Sequence, residues 1–148
     1  MVQIAVWLYR ALGTGLAIGV MELLAHIAQE PLARIPFVTS IVLTMSLPDS
    51  EPARPYAVIV GHLASCVAGL AALWCLGSGE TASGVGVGLA AFLMLALRAM
   101  HPPAGIDAFL VAGWGLPTSW VLSPVLVGAV LLASFARLWS MGERRIAR

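Results

Sequence analysis

The chain has 148 residues, 60% of them hydrophobic and 10% charged, with a mean hydropathy of +0.95. A soluble domain is nearer half apolar and about a quarter charged, so this composition points to an integral membrane protein in one compact unit. A net charge of +1 excludes a general attraction to nucleic acid. The basic residues are all arginines, and Arg137, Arg144, Arg145 and Arg148 crowd the C-terminus.

Crossing the hydrocarbon core of about 30 Å takes about 20 apolar residues in a helix. Four stretches satisfy this: 4–28, 56–76, 81–99 and 119–139. The first is longer than a signal-peptide core and reads as a retained span. Two further apolar stretches, "IPFVTSIVLTMSL" (35–47) and "PPAGIDAFLVAGW" (102–114), are too short to cross. Each starts at proline, which suits a first helical turn because the missing N–H has no partner there anyway. Each ends at a chain-breaking segment, "PDSEP" or "GLP". Irregular backbone at membrane depth survives only where protein or a wet cavity satisfies it. The expected fold is therefore all-α, with four transmembrane helices and two re-entrant half-helices.

The order of long helix, half-helix and long helix occurs twice. A shift of 67 positions lays Pro36 on Pro103, Leu43 on Leu110, Val58 on Val125 and Gly61 on Gly128. Trp7 falls on Trp74 and Gly19 on Gly86 in the same way. A single domain over 1–148, with repeat halves at 5–76 and 77–142, is the expected organisation. Paired Pro-interrupted segments in corresponding halves point to a transporter binding site.

The C-terminal arginines place that end in the cytoplasm by the positive-inside rule, and four full spans return the N-terminus to the same side. Both half-helix loops then open outward. Small residues at Gly15 and Gly19, at Gly61, Ser65 and Gly69, and at Gly84 and Gly88 have the spacing of close helix–helix contacts. Cys66 and Cys75 fall on opposite faces of one helix, roughly 13 Å apart along it, so they do not pair.

Ionisable groups inside a membrane are costly, so Arg10, Glu22, His26, His62, His101 and Asp107 are the functional candidates. Glu22 and His26 share a helical face at i,i+4, and Arg10 can snorkel to the interface. His62 and His101 each offer one donor and one acceptor and can titrate beside a carboxylate. No close-spaced ligand motif supports a metal site, and no cofactor motif occurs. The starts of the two half-helices are the more specific feature. Their free N–H groups and partial positive charge suit an anion, with the Thr39 and Ser40 hydroxyls nearby.

"HPPAG" at 101–105 resembles the signature of the HPP family of integral membrane proteins. "IPFVTSIVL" (35–43) is similar to the family's Pro-Phe-Gly-Ala-Ser stretch, "RPYAVIVGH" (54–62) to its Gly-His stretch and "SPVLVGAVLL" (123–132) to its last span. The resemblance implies a four-span membrane protein, with nitrite transport as the activity of plastid and cyanobacterial members. Carried over by position, its functional residues are Pro36, Phe37, Ser40, Gly61, His62, His101, Pro102, Pro103, Ala104 and Gly105. Val38 and Thr39 replace the family's small pair. Asp107 stands where the family pattern is small and neutral, and its carboxylate would repel a bare anion.

The expected function is a small transporter or channel for a small anionic or zwitterionic solute such as nitrite, proton-linked, sited at the half-helix N-termini. Its partners are the solute, the lipid bilayer and further copies of itself in a homo-oligomer. Two alternatives stand beside it: a membrane-embedded enzyme using His101 and Asp107 as acid and base, and an accessory subunit.

Overall fold

The computed structural model describes residues 2–29 and 35–146. Glu30, Arg34 and Arg148 lie outside them. Among the described residues the regular structure is entirely helical: α1 (Val2–Ile27), α2 (Ile35–Ser46), α3 (Pro55–Leu76), α4 (Glu80–Ala96), α5 (Gly105–Trp114) and α6 (Val127–Ile146). Single 3-10 turns, Glu51–Ala53 and Pro102–Ala104, precede α3 and α5. A π-wound turn at Val121–Leu126 leads into α6 and is interrupted at Ser123, whose backbone is extended ahead of Pro124.

Among the described residues three helices are long and apolar enough to cross a membrane: Val2–Ile27, Pro55–Leu76 and Val121–Ile146. The expected span at 81–99 is a helix of 17 residues, about 26 Å long at 1.5 Å per residue. It stops early because Arg98 is left-handed, with φ 53. The Arg98 N–H returns to the Leu95 carbonyl and the Ala99 N–H to that of Met94, a pattern that satisfies the last carbonyls of a helix. The two short apolar runs are short helices, close to the expected bounds.

Consecutive helices alternate in direction. Arg10 of α1 reaches the Ser46 carbonyl at the end of α2, while Ala17 meets Phe37 near its start. His62 meets Ser40 and Val58 lies with Met45, so α3 opposes α2. Gly61 faces Met94 and Gly86 faces Gly69 and Ala72, so α4 opposes α3. Ser83 of α4 donates to the Phe109 carbonyl, and Gly86 lies by Ala108, so α5 opposes α4 and runs alongside α3. The crevice between α1 and α6 brings Ala28 close to Ser123, while Arg10 and Glu143 meet at the other end.

The segment 47–54 therefore sits at the end of the bundle where α1 starts and α6 finishes, with Asp49 3.8 Å from Arg144. Pro52 is bonded to His101 and Tyr56 to the Leu97 carbonyl, which brings 97–101 to the same end. This overturns the expectation that both half-helix loops open on the face opposite the arginines. Within the described residues neither short helix doubles back: α2 ends at the arginine end, and α5 runs from that end toward the other. The arginines within the described residues, Arg10, Arg54, Arg98, Arg137, Arg144 and Arg145, all gather at this one end.

Packing is uneven. On one side α3, α4 and α5 meet closely through Ala64, Ala68, Ala90, Ala104 and Ala108. Gly69 allows this approach, since a methyl there would come within 2.8 Å of the Ala108 Cα. On the other side α1, α2 and α6 meet through larger groups, including Phe37, Ile41, Met45 and Leu132. Only 11% of the most apolar 18-residue stretch of α1 is buried, against 56% for α3, so α1 lies largely exposed on the outside of the bundle. It is fastened at the arginine end. There Tyr9 and Trp139 stack at 4.5 Å, and the Arg10 guanidinium holds both Glu143 oxygens at 2.9 and 2.7 Å. At the other end α1 and α6 part around a cavity of about 340 Å³ with almost wholly apolar walls.

Of the expected glycine contacts, Gly61 and Gly69 make them, while Gly15, Gly19, Gly84 and Gly88 have open space where a side chain would be. These four face away from the bundle, because its seams run along Gly13 and Gly86 instead. Cys66 is buried and Cys75 exposed, both unpaired.

Candidate functional site

The HPP segment explains itself locally. A residue before proline is pushed out of the helical region by the pyrrolidine ring, and His101 is extended at φ −130, ψ 86. Pro102 and Pro103 then open the 3-10 turn that feeds α5. The histidine is thus held ahead of the helix, its ring directed sideways into the protein. Gly61 on α3 makes room for it, since a Cβ there would lie 2.8 Å from His101 Cβ.

Four side chains from four elements form one line. Asp107 Oδ2 lies 2.6 Å from His62 Nδ1, and His62 Nε2 lies 3.1 Å from Ser40 Oγ. Ser40 Oγ lies 2.9 Å from His101 Nε2, and His101 Nδ1–H donates to the Pro52 carbonyl at 2.7 Å. Ser40, His62, His101 and Asp107 each have zero exposure. The imidazole rings stand 5.2 Å apart, and the Phe37 ring packs on His62 at 4.9 Å. Asp107 Oδ1 is buried with no hydrogen-bond partner among the described residues. Polar groups in such surroundings are strongly coupled and costly to leave unpaired.

Placement of the other expected residues varies. The Pro36 carbonyl accepts from Ser40 at 3.2 Å, and Phe37 closes one side. Ala104 is buried among alanines of α3 and α4. Thr39 and Pro102 are exposed, and Pro103 and Gly105 half-buried, away from the polar line. Glu22 and His26 are exposed on α1. Arg10 does not simply snorkel: it binds Glu143 and the last turn of α2. Asp107 pairs with His62, not with His101 as an acid/base pair would require. Among the described residues no group of three His, Cys, Asp or Glu converges in a metal-ligating cluster.

Two contributors escape sequence reasoning. Pro52 acts through its carbonyl, which no side-chain motif reveals. Ser65 on α3 takes the Ala108 N–H at 3.0 Å, fixing the first turn of α5 against α3. The sequence marks Ser65 only as a small residue at helix-contact spacing with Gly61 and Gly69, three residues after His62, and not as an acceptor for α5.

The family pattern described as HPP, transmembrane region, matches residues 1–146. The chain belongs to the HPP transmembrane family. It is also similar to a transmembrane protein of Dictyostelium discoideum, 30% identical over 105 residues. That match covers 65% of this chain and 36% of the relative, so the chain corresponds to about a third of the longer protein. No solved structure matches. The polar line belongs to this HPP-family chain's own pairing of a histidine from "GH", a histidine from "HPPAG", a serine and Asp107.

Proposed function

We propose that this HPP-family protein is a small-solute transporter, proton-linked, whose site is the Ser40–His62–His101–Asp107 cluster. The observation that carries the reading is the meeting of Ser40 and Asp107 on His62. These two residues are 67 positions apart, the offset that relates the two halves of the sequence. The first half runs along, back and along the bundle, and the second runs in the opposite sense. An inverted repeat with polar groups from its short helices at the centre is a common transporter plan. Buried ionisable groups at membrane depth support the same reading.

Both termini belong on the cytoplasmic side, because the described arginines share one end. The solute is a small anion or zwitterion, with nitrite as the first probe. Asp107 disfavours a bare anion, so the solute moves together with a proton. Outward-facing Gly84 and Gly88 offer a close-packing face for a homo-oligomer.

The test is nitrite uptake into liposomes holding the purified protein, with the interior more alkaline than the medium. Uptake should exceed that of protein-free liposomes, collapse with a protonophore, and fall to the baseline in Asp107→Asn. Identical uptake with and without protein removes nitrite, and uptake indifferent to the proton gradient removes the coupling.

A second reading has one observation in its favour. Asp107, His62 and Ser40 stand in the order of acid, base and hydroxyl in a serine hydrolase. Complete burial of Ser40 and its sharing with a second histidine weigh against it. Covalent labelling of Ser40 by a fluorophosphonate would support hydrolysis, and its absence would remove that reading.

A further inference from the structure

The hydrogen bonds of the buried line constrain its protons. Ser40 Oγ has one hydrogen and three neighbours able to accept it: the Pro36 carbonyl at 3.2 Å, His62 Nε2 at 3.1 Å and His101 Nε2 at 2.9 Å. The Pro52 carbonyl can only accept, so His101 Nδ1 carries a hydrogen. On the other histidine, Nδ1 faces a carboxylate oxygen at 2.6 Å, so a hydrogen lies between them as well.

The two Nε2 atoms remain, both facing one hydroxyl. If both were bare, the single Ser40 hydrogen could satisfy only one, leaving a nitrogen lone pair against an oxygen lone pair in a dry site. If both carried hydrogens, two cationic rings would face one carboxylate, leaving an uncompensated buried charge. One hydrogen shared between the two Nε2 positions satisfies every bond and leaves the cluster neutral.

We infer that the cluster holds one excess proton balancing Asp107, and that the Ser40 hydroxyl passes it between His62 and His101. In the first arrangement His62 Nε2–H donates to Ser40, and Ser40 O–H donates to His101 Nε2. In transfer the His62 N–H bond breaks as a new Ser40 O–H bond forms. The original Ser40 O–H bond breaks as a His101 N–H bond forms. His62 is left neutral, its Nδ1–H on ionised Asp107, and His101 becomes the imidazolium. The total charge is unchanged, and no outside reactant is needed. Positive charge has moved from the ring beside Asp107 to the ring beside the Glu51–Ala53 turn at the arginine end, where Glu51 is exposed.

The surroundings add few competing groups. Cys66 lies one turn along α3 from His62, and Glu51 and Arg54 flank the turn at Pro52. α2 has no titratable side chain, and Asp107 is the only one on α5. Glu80 of α4 and Glu143 and Arg145 of α6 stand toward the ends of their helices, while Arg137 and Arg144 of α6 line a small pocket with Thr44 and Ala53, next to the Pro52 turn. The role of the shuttle rests on the transport reading, but the proton count rests on the bond geometry alone.

The protein has three histidines, so nitrogen NMR of isotopically labelled histidine, with His26→Gln removing the exposed one, reads the arrangement directly. The expected spectrum has both Nδ1 atoms protonated and one protonated Nε2 in total, on one ring or averaged over two. Two bare or two protonated Nε2 atoms would overturn the inference. In liposomes, nitrite-driven proton uptake should fall about tenfold or more in Ser40→Ala and return in Ser40→Thr, which keeps the hydroxyl. Equal uptake in Ser40→Ala and wild type overturns the shuttle. No uptake in wild type, with the expected spectrum intact, defeats the transport reading and leaves the proton count standing.

Discussion

The two sides of the bundle are built from equivalent pieces and packed in opposite ways. With the 67-residue offset, α4, α5 and α6 follow α1, α2 and α3, and each half lends its third helix to the other side. α3 packs against α4 and α5, while α6 packs against α1 and α2. The difference lies in side-chain size. Alanine and glycine let backbones touch on the α3 side. Phe37, Ile41 and Leu132 hold the α6 side apart around the 340 Å³ cavity. Close-packed interiors transmit strain and resist change, so the α1–α2–α6 side is the looser of the two, with the polar line on the boundary.

The largest expected effect comes from removing the anchor of that boundary. Asp107→Ala leaves the His62 Nδ1–H, or a buried imidazolium, without its partner, and breaking a buried pair costs about 3–5 kcal/mol. Denaturant unfolding in detergent, followed by circular dichroism, should show a loss of this order. A loss below about 1 kcal/mol would mean that water replaces the carboxylate.

Equivalent glycines sharpen the comparison directly. A methyl at Gly61 meets His101 Cβ at 2.8 Å and the Ala99 carbonyl at 3.1 Å, atoms that cannot move without the chain. Gly61→Ala should cost about 1–3 kcal/mol, typical of overpacking. The three atoms nearest a methyl at Gly128 all belong to the ring of Phe37, which borders the cavity and can shift into it. Gly128→Ala should cost less than about 1 kcal/mol and alter transport more than stability. Equal losses for the two variants would break the distinction between the sides.

Binding should discriminate between the histidines. His101→Ala should weaken nitrite binding by about ten- to a hundredfold, the equivalent of one lost charge-assisted hydrogen bond. His26→Ala, on the exposed face of α1, should leave it unchanged. Isothermal titration of both purified variants decides it, and equal affinities would leave HPP a purely structural turn.

The smallest effect is expected at the glycines that face outward. Gly88→Ala has open space for its methyl and should stabilise the helix by about 0.5–1 kcal/mol through propensity. Gly84→Leu with Gly88→Leu should leave the helix content intact. Loss of oligomer mass in light scattering would then locate a subunit interface on α4, and unchanged mass would exclude it there.

Much of the helical pattern was legible because the hydrophobic effect writes it into runs of residues. The two short apolar runs came within about a turn of their observed bounds, since proline starts and Gly or Pro stops act locally. The paths of these helices were not legible. A short apolar run does not state which end of the bundle its chain reaches next, and only Asp49 beside Arg144 and Pro52 beside His101 decide that. His62, His101, Ser40 and Asp107 were recognisable as separate costly or polar groups, the first three also through the family resemblance. Their order along one line was not, because a backbone carbonyl at Pro52 and a serine on a different helix supply its links.

By itself the sequence determined membership of a membrane family, the helical elements and the set of groups too polar for their apolar surroundings. Those follow from composition, from the period of a helix and from residues such as proline that act on their immediate neighbours. The tertiary structure alone decided that Asp107 pairs with His62, that Arg10 ties α1 to α2 and α6, and that one side is tight where the other holds a cavity. These depend on distances between residues remote in the chain, set by how side chains of different volume fill the space between helices. A methyl group more or less at one crossing moves a whole helix, and no local pattern records where that crossing falls.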